Sequence, residues 1–450
     1  MPLPTPGPWD RDRRRTLALA ALAAVAGAAP AAHAQEQKKQ PPPEFSEGYT
    51  PPMPSQPQPR MPWLTTLDVA LLAAALGLAA WIGLHRRSRR EMRLLGLFSV
   101  LYFGFIRQGC ICPVGSIQNV ALAALGSGYA LPFAAGALFL LPLLAALFFG
   151  RVFCGAVCPL GAIQDLALLW PRRVPAWLDN ALGVLPYAVL GIGVLYAAAG
   201  TAFVVCQFDP FVGFFRFSGG WLAISLGAGL LLLGTVVGRP YCRWLCPYSV
   251  LLRWTAALTR WGVRITPKDC IQCHLCADAC PFGAISPATL EAPAEPRAVA
   301  RRRLGRVLAV APLIVVAGAL LGRLGAPAVA RYDRVVSLAE RVYQEETGRV
   351  KGQTNASEAF RKQATPTGEL YRQALVKRRW YGGATTLFGA WCGIVVAGKL
   401  IFLTLRRRRP DYEADQAACL SCARCYTSCP IEQERLTGLR SPLRDAPEQP

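Results

Sequence analysis

Residues 131–166 read LPFAAGALFLLPLLAALFFGRVFCGAVCPLGAIQDL. The first part is an apolar run of membrane-crossing length, about 17–25 residues. It stops at Gly150-Arg151, and the pair Cys154-x3-Cys158-Pro159 follows. The peptide headed by Cys158 has a counterpart: Cys112-Pro-Val-Gly-Ser-Ile-Gln-Asn aligns with Cys158-Pro-Leu-Gly-Ala-Ile-Gln-Asp, 46 residues later. If the apolar run crosses a bilayer, the two Cys-Pro loops lie on opposite faces of it.

The rest of the chain repeats both themes. Its 450 residues are 53% hydrophobic and 17% charged, the balance of a membrane protein. The net charge of +22 does not point to nucleic acid, because the arginines cluster beside apolar runs: HRRSRRE at 85–91, RRRLGR at 301–306 and RRRR at 406–409. That is how cytoplasmic loops are marked.

At the N-terminus, Arg13-Arg14-Arg15, the run LALAALAAVAGAA and Ala32-His33-Ala34 form the three parts of a signal peptide, 1–34. Residues 35–62 are Pro/Gln-rich and read as an exported linker with no core. Seven apolar stretches follow, at 63–84, 93–108, 130–150, 181–200, 221–238, 307–323 and 384–404. An exported N-terminus and seven spans put the C-terminus in the cytoplasm, and the arginine clusters agree. The expectation is an all-α polytopic protein of the bacterial inner membrane, in contact with lipid. Its transmembrane domain, 63–262, carries Cys-x3-Cys-Pro loops, and 301–405 adds two further helices. Residues 324–383 form an exported loop. Within it Val335, Val336, Leu338, Ala339 and Val342 recur at helical spacing, so a helical hairpin is expected.

Most of the 16 cysteines fall in tight groups, and Cys392 stands apart. CIQCHLCADACP places Cys270, Cys273, Cys276 and Cys280 at the C-x2-C-x2-C-x3-C-P spacing of bacterial [4Fe–4S] sites, within a ferredoxin-type segment at 263–300. CLSCARCYTSCP repeats it with Cys419, Cys422, Cys425 and Cys429, within 406–450. Zinc, the main competitor for four thiolates, fits the repeated pattern poorly. Two [4Fe–4S] clusters are therefore expected in one small ferredoxin-like module. In the two-cluster pattern the fourth cysteine serves the other cube, so Cys429 would join the first set and Cys280 the second. Spacing alone leaves independent sites open. CGAVCP (Cys154, Cys158) and CRWLCP (Cys242, Cys246) supply four more thiolates at two helix ends, enough for a third [4Fe–4S] cluster. A disulfide is disfavoured in reducing cytosol.

GRVFCGAVCPLGAIQDL, GRPYCRWLCPYSVLLRW and the later motifs resemble the membrane polyferredoxins of the NapH/NosR type over roughly residues 90–290. The resemblance implies electron transfer through iron–sulfur clusters. It would run between the quinone pool or a cytoplasmic donor and a periplasmic reductase or other acceptor. The flavin domain of NosR-type proteins has no counterpart here. Gly382-Gly383-Ala384-Thr385 matches only part of a flavin-attachment motif, so no flavin is expected.

Three cysteines fall on the exported side: Cys110, Cys112 and Cys206. They form a candidate metal site, with Asp209 as a fourth ligand, or a redox-active thiol group. A structural disulfide is the competing reading. A hydrocarbon core is about 30 Å thick, so an outer station, or a mobile quinone, would be needed to carry electrons across. Arg107, Gln108 and Gln118 read as interfacial anchors or a quinone contact. His274 reads as a solvated side chain in a cluster loop. No acid–base or nucleophile constellation is present, so catalytic residues are not assigned. The rival class is a cluster-based redox sensor, or an assembly factor for a periplasmic metalloenzyme.

Overall fold

The computed structural model describes residues 62–109, 112–126, 129–216, 221–265, 270–289, 296–362, 366–405, 409 and 412–437. The expected signal peptide at 1–34, residues 35–61 of the expected linker, and Cys110 lie outside them.

The described chain is mostly helical. Four helices are long and apolar enough to cross a membrane: Trp63–Arg86, Ala176–Ala198, Arg297–Ala330 and Thr367–Thr404. The expected spans at 130–150 and 221–238 form shorter apolar helices, Phe133–Phe149 and Ala223–Gly234. The one at 93–108 is the helix Arg89–Ser99, continued by a wide turn over Val100–Ile106. Arg297–Ala330 outruns its apolar stretch at both ends, and Thr367–Thr404 at its N-terminal end. Alanine and arginine favour helix beyond the hydrocarbon layer as well as within it.

Those two helices pack along glycine faces. Gly318 and Gly322 meet Gly389 and Gly393, two G-x3-G pairs. A Cβ at Gly393 would lie 2.8 Å from the Val315 Cα, so only glycine permits this approach. The segment between them forms the expected helix, Arg334–Glu346, burying Val336, Ala339 and Val342, and a second, Asn355–Lys362. Asp333 starts the first. It is 2% exposed, caps the Val335 N–H at 2.9 Å, and accepts from Thr201 Oγ1 at 2.7 Å and Lys377 Nζ at 3.0 Å.

The segment after Phe133–Phe149 folds back into the bundle. Gly150 turns the chain at φ +78, and the loop 153–157 leads into the helix Pro159–Ala167. That helix runs antiparallel to Arg89–Ser99. Asp165 pairs with Arg89, Ala162 sits under Gly96, and Leu160 shares an apolar cluster with Val100. Its Cys158 end is therefore far from the Arg89 end of the bundle.

Residues from two distant parts of the chain make the small module. Ile285–Ser286 and Glu413–Ala414 pair antiparallel, Ile285 opposite Ala414. This ladder brings the two four-cysteine motifs together.

Candidate metal centres

Each four-cysteine loop is wound by the same backbone device. Gln272 and His274 flank Cys273 with φ of 51 and 64; Ser421 and Ala423 flank Cys422 with φ of 51 and 61. Left-handed non-glycine residues cost of order 1–3 kcal/mol each. Their recurrence at matched positions marks a shape the loops are built to hold. Such turns aim backbone N–H groups inward, as Ser421 N–H does toward Cys419 Sγ at 3.4 Å.

Two cavities result. Cys270, Cys273, Cys276 and Cys429 line one, and Cys280, Cys419 and Cys422 line the other, with Cys425 on the wall of both. Burial, then the neighbouring thiols Cys270, Cys429 and Cys273, push the Cys276 thiol up to about 11, though the Ala277 N–H opposes this. Burial pushes Cys419 up to about 12, with Cys422 and Cys280 adding to it against the Ser421 N–H. Bare thiolates are therefore disfavoured here, and a cationic iron core is the natural compensation. The residues fit a pair of [4Fe–4S] clusters, with Cys280 and Cys429 exchanged between the loops. His274 is not free in solvent: its Nδ1 meets the Tyr412 hydroxyl over the first cavity.

The module sits directly on the Cys-x3-Cys-Pro loops. Backbone at Leu420 and Ser421 presses against Gly83 and Gly155, the Ser421 hydroxyl lies over Gly150, and a Cβ at Gly83 would lie 2.9 Å from the Ser421 carbonyl oxygen. Arg151 donates to the Ala417 carbonyl at 3.2 Å, and Arg89 to the Cys422 carbonyl at 3.1 Å.

Cys154, Cys158, Cys242 and Cys246 gather below, each within electrostatic reach of others of the set. Two buried arginines frame them. Arg151 Nη2 points to Cys154 Sγ at 3.7 Å. Arg239, held at φ +52 and 1% exposed, donates to the carbonyls of Cys154 and, at 2.8 Å, Gly155. The Nε atoms of Arg151 and Arg239 have no hydrogen-bond partner among the described residues. Four thiols and two cations with unspent donors suit an anionic group such as a thiolate-ligated cluster. Arg239 also interacts with Cys422, which links this site to the module.

The expected separation of the two Cys-Pro loops is not observed. Cys112 lies within electrostatic reach of Cys158 and Cys246, and the three pack against the same apolar residues. The cause is the fold-back of 153–167, which carries Cys158 deep along Arg89–Ser99. Hydropathy measures the length of an apolar segment, not whether its successor turns back inside. Cys206 and Asp209 are near Cys112 in turn.

Other expectations also shift. Gln118 is fully buried rather than interfacial: its Nε2 donates to Cys206 Sγ at 3.1 Å and its Oε1 accepts from Val205 N–H at 3.1 Å. Arg107 pairs with Asp68 on Trp63–Arg86. The Gln108 carbonyl accepts from Arg216 Nε at 3.3 Å. Cys392 sits half-buried within Thr367–Thr404. The roles of Arg151, Arg239, Gln118 and Gln164 escaped the sequence reading, although Gly-Arg and Ile-Gln recur in step with the Cys-Pro peptides.

Comparison with known proteins accords with these sites. Residues 131–175 and 219–267 match one 4Fe-4S binding domain family, and 263–286 match a second. These stretches hold Cys154, Cys158, Cys242, Cys246 and the motif Cys270–Cys280. The chain is 30% identical over 118 residues to the putative electron transport protein YccM of Escherichia coli (strain K12), covering 24% of this chain and 33% of the relative. It is 30% identical over 119 residues to protein NirI of Paracoccus denitrificans (strain Pd 1222), covering 25% of this chain and 18% of the relative. The match thus spans a third or less of either relative's length. No solved structure matches.

Proposed function

We propose that this protein is a membrane iron–sulfur relay that moves single electrons between a cytoplasmic or quinol donor and a periplasmic redox partner. The observation that supports it best is the continuous line of cysteine sets. The set of Cys270, Cys273, Cys276 and Cys429 adjoins that of Cys419, Cys422, Cys425 and Cys280. Arg239 joins the latter to Cys154, Cys158, Cys242 and Cys246, which adjoin Cys112. Likeness to an electron transport protein points the same way.

Bound clusters would supply one-electron chemistry at each station. The chain's own residues bind, orient and shield. Tyr426, 4% exposed, lines the first module cavity beside Cys425, which borders both. Arg151 and Arg239 place positive charge beside the third set, which favours its reduced, more anionic state. The arginine clusters favour a cytoplasmic module and C-terminus and an exported 324–383.

Anaerobic purification of the full chain in detergent, with iron, acid-labile sulfide and EPR of the reduced form, tests the reading. At least about twelve irons per chain are expected, about four for each of three cubes. Zinc in their place sinks it. Clusters that oxidise and reduce only under oxidative stress, and never turn over with a quinol or ferredoxin donor, favour the sensor instead.

A further inference from the structure

We propose that Cys112, Cys206 and Asp209 form a further metal site, a degenerate copy of the Cys-x3-Cys-Pro site, which takes an iron–sulfur cluster on two thiolates and one carboxylate: Asp209 replaces one cysteine, and Gln108 stands where another would.

The copy is visible in hydrogen bonds. Gln164, six residues after Cys158, donates Nε2 to Cys242 Sγ at 3.5 Å and accepts from Tyr241 N–H at 3.0 Å. Gln118, six residues after Cys112, does the same to Cys206 Sγ and Val205 N–H, both at 3.1 Å. Each glutamine therefore grips the residue before a cysteine and the sulfur of that cysteine. Both are fully buried, 0% exposed. A buried amide spends its donors only where a partner is held in place. Gly115 and Gly161 also coincide, each three residues after its Cys-Pro cysteine. A Cβ at Gly115 would lie 3.3 Å from Cys206 Sγ, so glycine clears the way for that sulfur.

Aligned from Cys206 and Cys242, the sequences read Cys206-Gln-Phe-Asp209-Pro210 and Cys242-Arg-Trp-Leu-Cys246-Pro247. Asp209 falls where Cys246 stands, one residue short. It is 5% exposed and close to Cys112. Its Oδ1 accepts from Phe211 N–H at 2.9 Å and its Oδ2 from Tyr241 OH at 2.7 Å. A carboxylate has about four lone-pair positions, so both oxygens can still ligate. Among the described residues no three such side chains close on a single ion. That holds equally for the ferredoxin sets, whose thiols ring a cube. The two thiols give up their protons on binding, as metal ligation requires.

Tyr241 ties this site to its neighbour, because its hydroxyl holds Asp209 and the next residue is Cys242. The site rests on the relay reading for its place in the electron path, not for its existence. As a station it would gain one electron as the Cys154–Cys246 set loses one.

The test uses the full chain, reconstituted anaerobically with ferrous iron and sulfide, with iron analysis and EPR. About sixteen irons are expected, falling to about twelve in Cys206→Ser with the other signals unchanged. Asp209→Cys should keep the count and shift the extra EPR signal, which reads the site even if Cys206→Ser folds poorly. An equal iron count in parent and Cys206→Ser, with no new signal or shift in Asp209→Cys, overturns the proposal. So does a Cys112–Cys206 disulfide in the anaerobic protein. A total below about twelve strikes at the relay instead, while the difference between parent and variant still decides this site.

Discussion

Asp165 forms a buried ion pair with Arg89, their side chains 7% and 6% exposed. The same carboxylate reaches Arg424 of the second ferredoxin loop at 3.1 Å and Arg239 at 3.6 Å. One anion therefore holds the fold-back helix to the bundle and the module to both. Although burial opposes its ionisation, the guanidiniums of Arg239, Arg89 and Arg424 keep its carboxyl far below the usual carboxylate range.

Asp165→Asn should leave three buried guanidiniums without their counter-charge. Breaking a buried pair costs about 3–5 kcal/mol. Thermal unfolding in detergent should shift down strongly. The EPR signals of the module should lose their coupling to the third set.

The pH dependence of that contribution follows from the sign of the shift. A depressed folded-state value means the stabilisation is fully present above the unfolded value of about 4. It is lost only as pH falls through the lower folded value. Stability differences between parent and Asp165→Asn should be flat from neutral pH down to about 4, then narrow. A difference that already closes between pH 7 and 5 would remove this account of the pair.

Arg239→Gln removes the donors to the Cys154 and Gly155 carbonyls and the charge beside the third set. Loss of one cluster is expected, with iron falling by about four per chain. The ferredoxin signals should remain. Iron analysis with EPR on the same sample checks both.

Gly389→Leu drives a side chain into the backbone at Gly318. Overpacking costs about 1–3 kcal/mol, and more where backbones touch. A lower melting temperature is expected. Gly325→Leu, with nothing within 4 Å of the added Cβ, is the control and should melt with the parent.

Asp333→Asn tests the segment between the last two long helices. It weakens the bond to Lys377 Nζ, the Thr201 contact and the cap of Arg334–Glu346, together about 1–3 kcal/mol. Protease should cut 334–362 faster in the variant, while iron content stays at the parent value.

Ligand chemistry was legible in the sequence because it is local. The spacing within Cys270–Cys280 and Cys419–Cys429 is a property of one short loop, and it named the residues that line the two cavities. Direction and depth were not legible. The turn at Gly150 that sends Cys158 back along Arg89–Ser99 depends on a pairing of Asp165 with Arg89, 76 residues away. Gln118 looked like an interfacial anchor because its partners, Val205 and Cys206, lie in a different loop. Polar residues in apolar stretches are read from their sequence neighbours, whereas burial is set by distant ones.

The ladder between Ile285 and Ala414 also sets an order of assembly. Its first strand leaves the ribosome before the helices Arg297–Ala330 and Thr367–Thr404, and its second strand only after them. On the proposed pairing, Cys280 waits for Cys419, Cys422 and Cys425 until both helices have formed. Cluster loading becomes a late step in biogenesis, and a chain that fails to insert its last two helices stays without its module.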